Sequence, residues 1–190
     1  MTLSALLEER RPQRADARRN FDAILKAAAT AYVELGASVG VDEIARRAGV
    51  GVATLYRSFP TRTALMEAVY LVTVDELVTF GEAIQDPDPW TALQTWLEKF
   101  VDYMRAKRPL LTVLTESSPV YVPTNEAIYR IADPLVDRAK DAGQVRSDLN
   151  ADDVMRVIFA VTGGIYRDDA QRDRALQIVL DGIRQSPSLT

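Results

Sequence analysis

Apolar residues recur along this chain with helical spacing almost from end to end. Phe21, Ile24, Leu25, Ala28, Ala31, Tyr32 and Leu35 fall at i, i+3 and i+4 intervals, which predicts a helix over about 15–35 with one buried face. Gly36 stands where a helix-terminating glycine belongs. Two short amphipathic units follow at 42–48 and 52–59, separated by Gly49-Val50-Gly51. Thr61 can cap a longer helix that carries Leu65, Val69, Val72, Leu77 and Phe80 to about Ile84. Asp86-Pro87-Asp88-Pro89 stops that helix and starts another, with Asp88 as the cap and Pro89 in the first helical position. Its apolar side, to about Lys107, holds Leu93, Trp96, Leu97, Phe100, Tyr103 and Met104.

The second half continues in the same way. Pro109 opens a short helix with Leu110, Leu111 and Leu114, and Ser117-Ser118-Pro119 forms a loop. Pro123 and Thr124 begin a helix to about Gly143, inside which Pro134 predicts a kink. Asn150 and Asp153 have capping-box spacing at the start of a helix over 151–166. Gly163-Gly164 would then lie mid-helix, and their cost of ~1 kcal/mol each against Ala suggests a compensating close approach of another helix. Asp168 or Asp169 caps a last helix to about Arg184, with a frayed tail at 186–190. No segment alternates with period two, so the expected fold is all-α, with about nine helices.

Composition narrows the chemistry. The 190 residues include neither Cys nor His, which excludes a disulfide framework, a thiolate or imidazole metal site, a thiol nucleophile and a Ser–His–Asp triad. Glu116 and Asp102 are the carboxylates around which an enzyme could be built, but neither has a second catalytic group at a recognisable spacing. No enzyme, metal or cofactor is expected. The longest apolar stretch, between Arg156 and Arg167, falls well short of the ~20 residues that span a bilayer. Residues 1–20 hold five Arg but also Glu8, Glu9 and Asp16. That mixture fits neither a secretory leader nor a transit peptide, so a cytoplasmic location without membrane attachment is expected.

The net charge of −4 conceals an asymmetry. Residues 1–64 carry 10 Lys+Arg against 7 Asp+Glu, a net of +3, and the remainder carries −7. Nine of those ten cations are Arg, whose planar fork suits phosphate. A basic first third on an acidic remainder is the footprint of a nucleic-acid-binding module, or of an Arg-rich solvated face.

Asp42 through Phe59 has the form of a helix-turn-helix. Ile44, Ala45 and Ala48 face inward from the first unit and Leu55 and Phe59 from the second, while Gly49 permits the left-handed turn between them. Such a pair exposes the start of its second helix to a major groove about 12 Å wide.

From Phe21 to Tyr70 the chain resembles the DNA-binding domain of the TetR family of transcriptional regulators. The resemblance rests on Ile24-Leu25-Lys26-Ala27-Ala28, Tyr32 through Gly36, Asp42-Glu43-Ile44-Ala45, Ala48-Gly49-Val50, Thr54-Leu55-Tyr56, Phe59-Pro60 and Ala64-Leu65, in the family's order and spacing. It implies a basic arm at 1–17, a DNA-binding domain at 18–70 and a helical ligand-binding and dimerisation domain at 71–186.

The resemblance also implies residue roles. Val52 and Ala53 would meet base edges, where apolar side chains suit thymine methyls. Thr54 and Tyr56 match phosphate-contacting positions, and Arg62 matches a phosphate-binding Lys. Arg57 reaches either a guanine edge or the backbone. Arg46 adds a phosphate contact from the supporting helix, and Arg14, Arg18 and Arg19 follow the backbone or enter the minor groove. Gly51 replaces a hydroxyl residue, Gly40 stands near the usual Thr, and Ser58 offers a shorter side chain than the common His or Tyr.

In the second domain, Trp96, Phe100, Tyr103, Met104, Leu111, Thr115 and Tyr129 are candidate contacts for a small organic effector, or plain core. Glu116 is a further polar candidate. Val154, Ile158, Val161 and Ile165, with Leu176, Val179, Leu180 and Ile183, are candidates for a homodimer interface, or cover their own domain. The expected function is a ligand-responsive repressor binding a palindromic operator in double-stranded DNA as a homodimer. The alternative is a helical protein-interaction module whose helix-turn-helix does not bind DNA.

Overall fold

The helix expected over 15–35 forms as Ala15–Leu35 because its six regularly spaced apolar residues, from Phe21 to Tyr32, are all buried. The structure is a computed structural model that describes residues 3–107, 110 and 118–185. Its described residues hold nine helices and no strand: α1 (Leu3–Arg10), α2 (Ala15–Leu35), α3 (Val41–Ala48), α4 (Val52–Ser58), α5 (Arg62–Glu82), α6 (Pro89–Lys107), α7 (Tyr121–Asp141), α8 (Ala151–Thr162) and α9 (Asp169–Ile183). No helix among them is long and apolar enough to cross a membrane.

The caps are where the sequence puts them. Thr61 Oγ1 accepts the Ala64 N–H at 3.0 Å, and Asp88 Oδ2 accepts the Thr91 N–H at 2.9 Å. Asn150 and Asp153 exchange both bonds of a capping box, and Asp168 accepts the Gln171 N–H. Each satisfies a donor that the first helical turn leaves free.

Three expectations are corrected. A helix, α1, folds inside the expected arm, with Leu3 and Leu7 buried. The short helix expected at 109–114 lies outside the described residues apart from Leu110, which is buried, and so does the tail at 186–190. α7 starts at Tyr121, before Pro123, because a proline in the first turn forfeits no helical bond. α8 ends at Thr162, four residues early, because Gly163 caps it, its N–H bonded to Phe159 O at 3.1 Å. Gly163-Gly164 is therefore a helix end and not a close crossing. A Cβ on Gly164 would lie 2.8 Å from the Tyr166 hydroxyl, which donates to Val161 O at 2.6 Å and satisfies a carbonyl of the last turn.

The chain divides into two compact units, Met1–Glu76 with Ala106–Ala127 and Leu77–Arg105 with Ile128–Thr190. The first has a core of Phe21, Ile24, Tyr32, Ile44, Leu55 and Leu65, all at most 1% exposed, with Phe21 stacked on Phe59 at 4.7 Å. The second is built around Leu77, Leu93, Trp96, Val154 and Ile158.

Candidate nucleic-acid interface

The helix-turn-helix is assembled from α3 and α4. Gly49 takes φ +68°, the left-handed region open to glycine, and the N–H of Val50 returns to Ala45 O at 3.0 Å. Ile44, Ala45 and Leu55 then meet in the core at no more than 1% exposure. With Leu55 and Phe59 anchored, α4 turns its other side outward: Ala53 and Arg57 are exposed, Tyr56 is 46% exposed, and Val52, Thr54 and Ser58 are half-buried. Among the described residues Arg57 has no ion-pair partner. Gly40 and Gly51 occupy the N-cap positions of α3 and α4, and neither supplies a side-chain cap.

The supporting helix carries a charge network. Glu43 accepts from Arg46 at 2.7 Å and from Arg47 at 2.8 Å, and Arg47 also reaches Glu34 at 2.6 Å. Hydrogen bonds from Arg46 and then Arg47 pull the Glu43 carboxyl down to about 2. Arg46 remains largely exposed.

Arg62 is placed differently from its expected neighbours. Its guanidinium donates to Ala37 O and, at 2.8 Å, to Val39 O, in the segment joining α2 to α3. Of the amino-terminal arginines, Arg18 pairs with Glu8 at 2.9 Å and Arg19 with Asp16, while Arg14 is exposed and unpartnered among the described residues.

Two family models match the chain: the bacterial regulatory proteins of the tetR family over residues 24–69, and the C-terminal domain of SbtR-like transcriptional regulators over residues 88–185. The chain belongs to the TetR family. Its solved relatives include a TetR transcriptional regulator from Streptomyces coelicolor, 36% identical over 88% of this chain and 99% of that one, with a TM-score of 0.70. A TetR regulatory protein from Mycobacterium vanbaalenii is 30% identical over 91% and 99%, with a TM-score of 0.68. The ketosteroid transcriptional regulator KstR2 of Mycobacterium tuberculosis shares the fold at 20% identity, covering 91% and 98%, with a TM-score of 0.61. No curated protein matches the chain. As a TetR regulator the protein is a DNA-binding transcription factor and not an enzyme.

The TetR carboxy-terminal unit places the remaining candidates. Trp96 and Phe100 stack at 5.5 Å and Phe100 and Tyr103 lie 5.6 Å apart, all three buried with Met104. Trp96 Nε1 is buried without a hydrogen-bond partner. Tyr129 instead donates its hydroxyl to Asp152 at 2.5 Å, and burial with that carboxylate pushes its phenol up to about 12. Leu111, Thr115 and Glu116 lie outside the described residues.

Among the dimer candidates, Val154, Ile158, Leu180 and Ile183 are buried within their own unit. Leu176 joins Ile158 and Leu180 in lining a groove of about 210 Å³ between α6, α8 and α9. Val161 and Val179 are half-buried, and Ile165 lies beyond α8 at 97% exposure. Val157, Phe159 and Ile178 are the exposed large apolar residues of α8 and α9. On α8, Val157 flanks the buried stripe one position from Ile158, so periodicity alone does not separate the two.

Proposed function

We propose that the protein is a ligand-responsive repressor that binds a palindromic operator as a homodimer. The observation that carries the reading is the outward face of α4, where Ala53, Tyr56 and Arg57 project while Leu55 and Phe59 hold the helix from behind. Val52 and Ala53 meet thymine methyls, Thr54, Tyr56, Ser58 and Arg46 meet phosphates, and Arg57 reaches a guanine edge or the backbone. Arg62 acts from behind this face, on the carbonyls of Ala37 and Val39.

The effector is a small organic molecule held by the aromatic group of α6. The unpartnered buried N–H of Trp96 supports a polar atom on that molecule, since an unsatisfied buried donor costs about 1–3 kcal/mol. The chain has neither Cys nor His, so the signal is neither thiol oxidation nor imidazole titration. Effector binding biases a two-state equilibrium of the dimer, and by linkage effector and DNA weaken each other equally. This activity belongs in the cytoplasm.

Selection of bound sequences from random duplexes tests the reading. The expected product is a palindrome with half-sites about one helical turn, roughly 34 Å, apart. Recovery of no enriched sequence, with no duplex binding at low salt, overturns it in favour of a protein-interaction module.

A further inference from the structure

Not every face of α2 is closed by its neighbours. Ala29 and Val33 lie one turn apart on α2, and Val69, Thr73 and Glu76 follow one another at i, i+4 and i+7 on α5. These two stripes, with Leu110, wall a pocket of about 350 Å³. Val33 is 59% exposed, so its apolar surface is open to an occupant. The described lining residues all belong to the first compact unit, whereas Trp96, Phe100, Tyr103 and Met104 belong to the second. The pocket is thus separate from the aromatic group of α6.

Its polar groups are nearly all acceptors. Thr30 gives its hydroxyl hydrogen to Lys26 O at 3.2 Å and Thr73 to Val69 O at 2.9 Å, which leaves both oxygens with lone pairs to offer. Glu34 and Glu76 are exposed carboxylates on the rim. Glu34 accepts from Arg47 at 2.6 Å, while Glu76 has no ion-pair partner among the described residues. No Lys or Arg stands among the described residues that line the pocket. Tyr32 departs from this pattern. It is 1% exposed, it lines the pocket, and its hydroxyl has no hydrogen-bond partner. Burial, opposed by the charge of Arg62, pushes its phenol up, so the hydroxyl keeps a hydrogen to donate as well as lone pairs. A buried hydroxyl left unpaired is costly, and a ligand group that both donates and accepts removes that cost.

We propose that this pocket binds a small aliphatic amino alcohol. The ligand hydroxyl exchanges hydrogen bonds with Tyr32, its methylenes lie on Ala29, Val33, Val69 and Leu110, and its ammonium meets Glu76 at the rim. A cation suits that rim because carboxylates face it without a lining cation, and an anionic ligand would be repelled. With about 30 Å³ of liquid per water, the volume admits a chain of several carbons. The site goes beyond the regulator reading and does not depend on it.

Isothermal titration calorimetry of the full chain compares aminohexanol with hexylamine, which lacks the hydroxyl, and with hexanediol, which lacks the charge. Aminohexanol binds most tightly of the three. Tyr32→Phe weakens aminohexanol binding about tenfold, to the level of hexylamine, whose own affinity it leaves unchanged. Glu76→Gln weakens both amines about two- to fivefold and leaves hexanediol unaffected. The ligand-free Tyr32→Phe protein has a urea midpoint equal to or above that of the wild type, because the hydroxyl it loses was unpaired. A wild type that takes up no aminohexanol at millimolar concentration overturns the proposal, as does an aminohexanol affinity unchanged by Tyr32→Phe. A lowered urea midpoint in Tyr32→Phe also overturns it, since the hydroxyl then serves the fold. Hexanediol bound as tightly as aminohexanol overturns the assignment of a cation. DNA does not enter the measurement, so each of these outcomes leaves the regulator reading intact.

Discussion

Arg62 holds two backbone carbonyls, those of Ala37 and Val39, in the segment joining α2 to α3. Hydrogen bonds to a charged group contribute about 1.5–3 kcal/mol, so Arg62→Ala is expected to destabilise the amino-terminal unit by that order in a urea melt. The salt slope of DNA binding, measured on the folded fraction, should change by less than one phosphate. A slope reduced by a full unit with stability intact would instead place the guanidinium on the DNA. Glu43 carries a pH signature. Its carboxyl is held at about 2 by Arg46 and Arg47, below the ordinary 4.5. A depressed folded-state value means the stabilisation is complete above about pH 4.5 and is lost as the pH falls toward 2. Thermal midpoints of wild type minus Glu43→Gln should therefore converge on acidification across that window. A difference constant with pH would show that the network does not stabilise α3.

At the scale of elements, what the sequence revealed was what is local. α2 was legible from six residues at helical spacing, and the starts of α5, α6, α8 and α9 from single capping side chains that act within three residues. α1 was not, because an eight-residue helix is below the ~12–15 residues at which isolated helices become marginal, and it exists only by docking. Its signal, Leu3 and Leu7 one turn apart, is too short to distinguish from chance in a charged segment. The end of α8 was misjudged because the apolar pattern runs on through Ile165, while Gly163 and the returning Tyr166 hydroxyl stop the helix. Ties such as Arg62 to Val39 or Tyr129 to Asp152 join residues 23 apart, a separation no periodicity encodes. The dependence of α1 on docking is measurable. Leu7→Ala removes a buried side chain worth about 2–5 kcal/mol, more than so short a helix can forgo. Amide exchange over residues 3–10 should rise to that of an open chain while α2 stays protected. Protection retained throughout α1 would show that its ion pairs suffice to hold it.

For the molecule as a whole, the proposed dimer divides the apolar residues of α8 and α9 into two sets with opposite expected behaviour. Val154 and Ile158, each 1% exposed, belong to the protomer's own core, and a charge placed there is buried without a partner. Val157 and Ile178, 45% and 71% exposed, lose nothing of the protomer's packing when replaced, yet are the apolar surface a second copy can cover. Val157→Glu combined with Ile178→Glu should therefore leave the circular dichroism and cooperative melt of the protomer in place while shifting sedimentation from dimer to monomer. Ile158→Glu should instead abolish the melt. The functional consequence follows from linkage of the two DNA-binding units. Two half-sites engaged by one dimer gain about 10²–10⁴ in avidity over either alone. The double variant should lose affinity for a palindromic operator by that range and keep the wild-type affinity for an isolated half-site. A variant that still sediments as a dimer places the interface on another face of the protomer. A monomeric variant that still binds the palindrome at full strength shows that operator recognition does not need two copies.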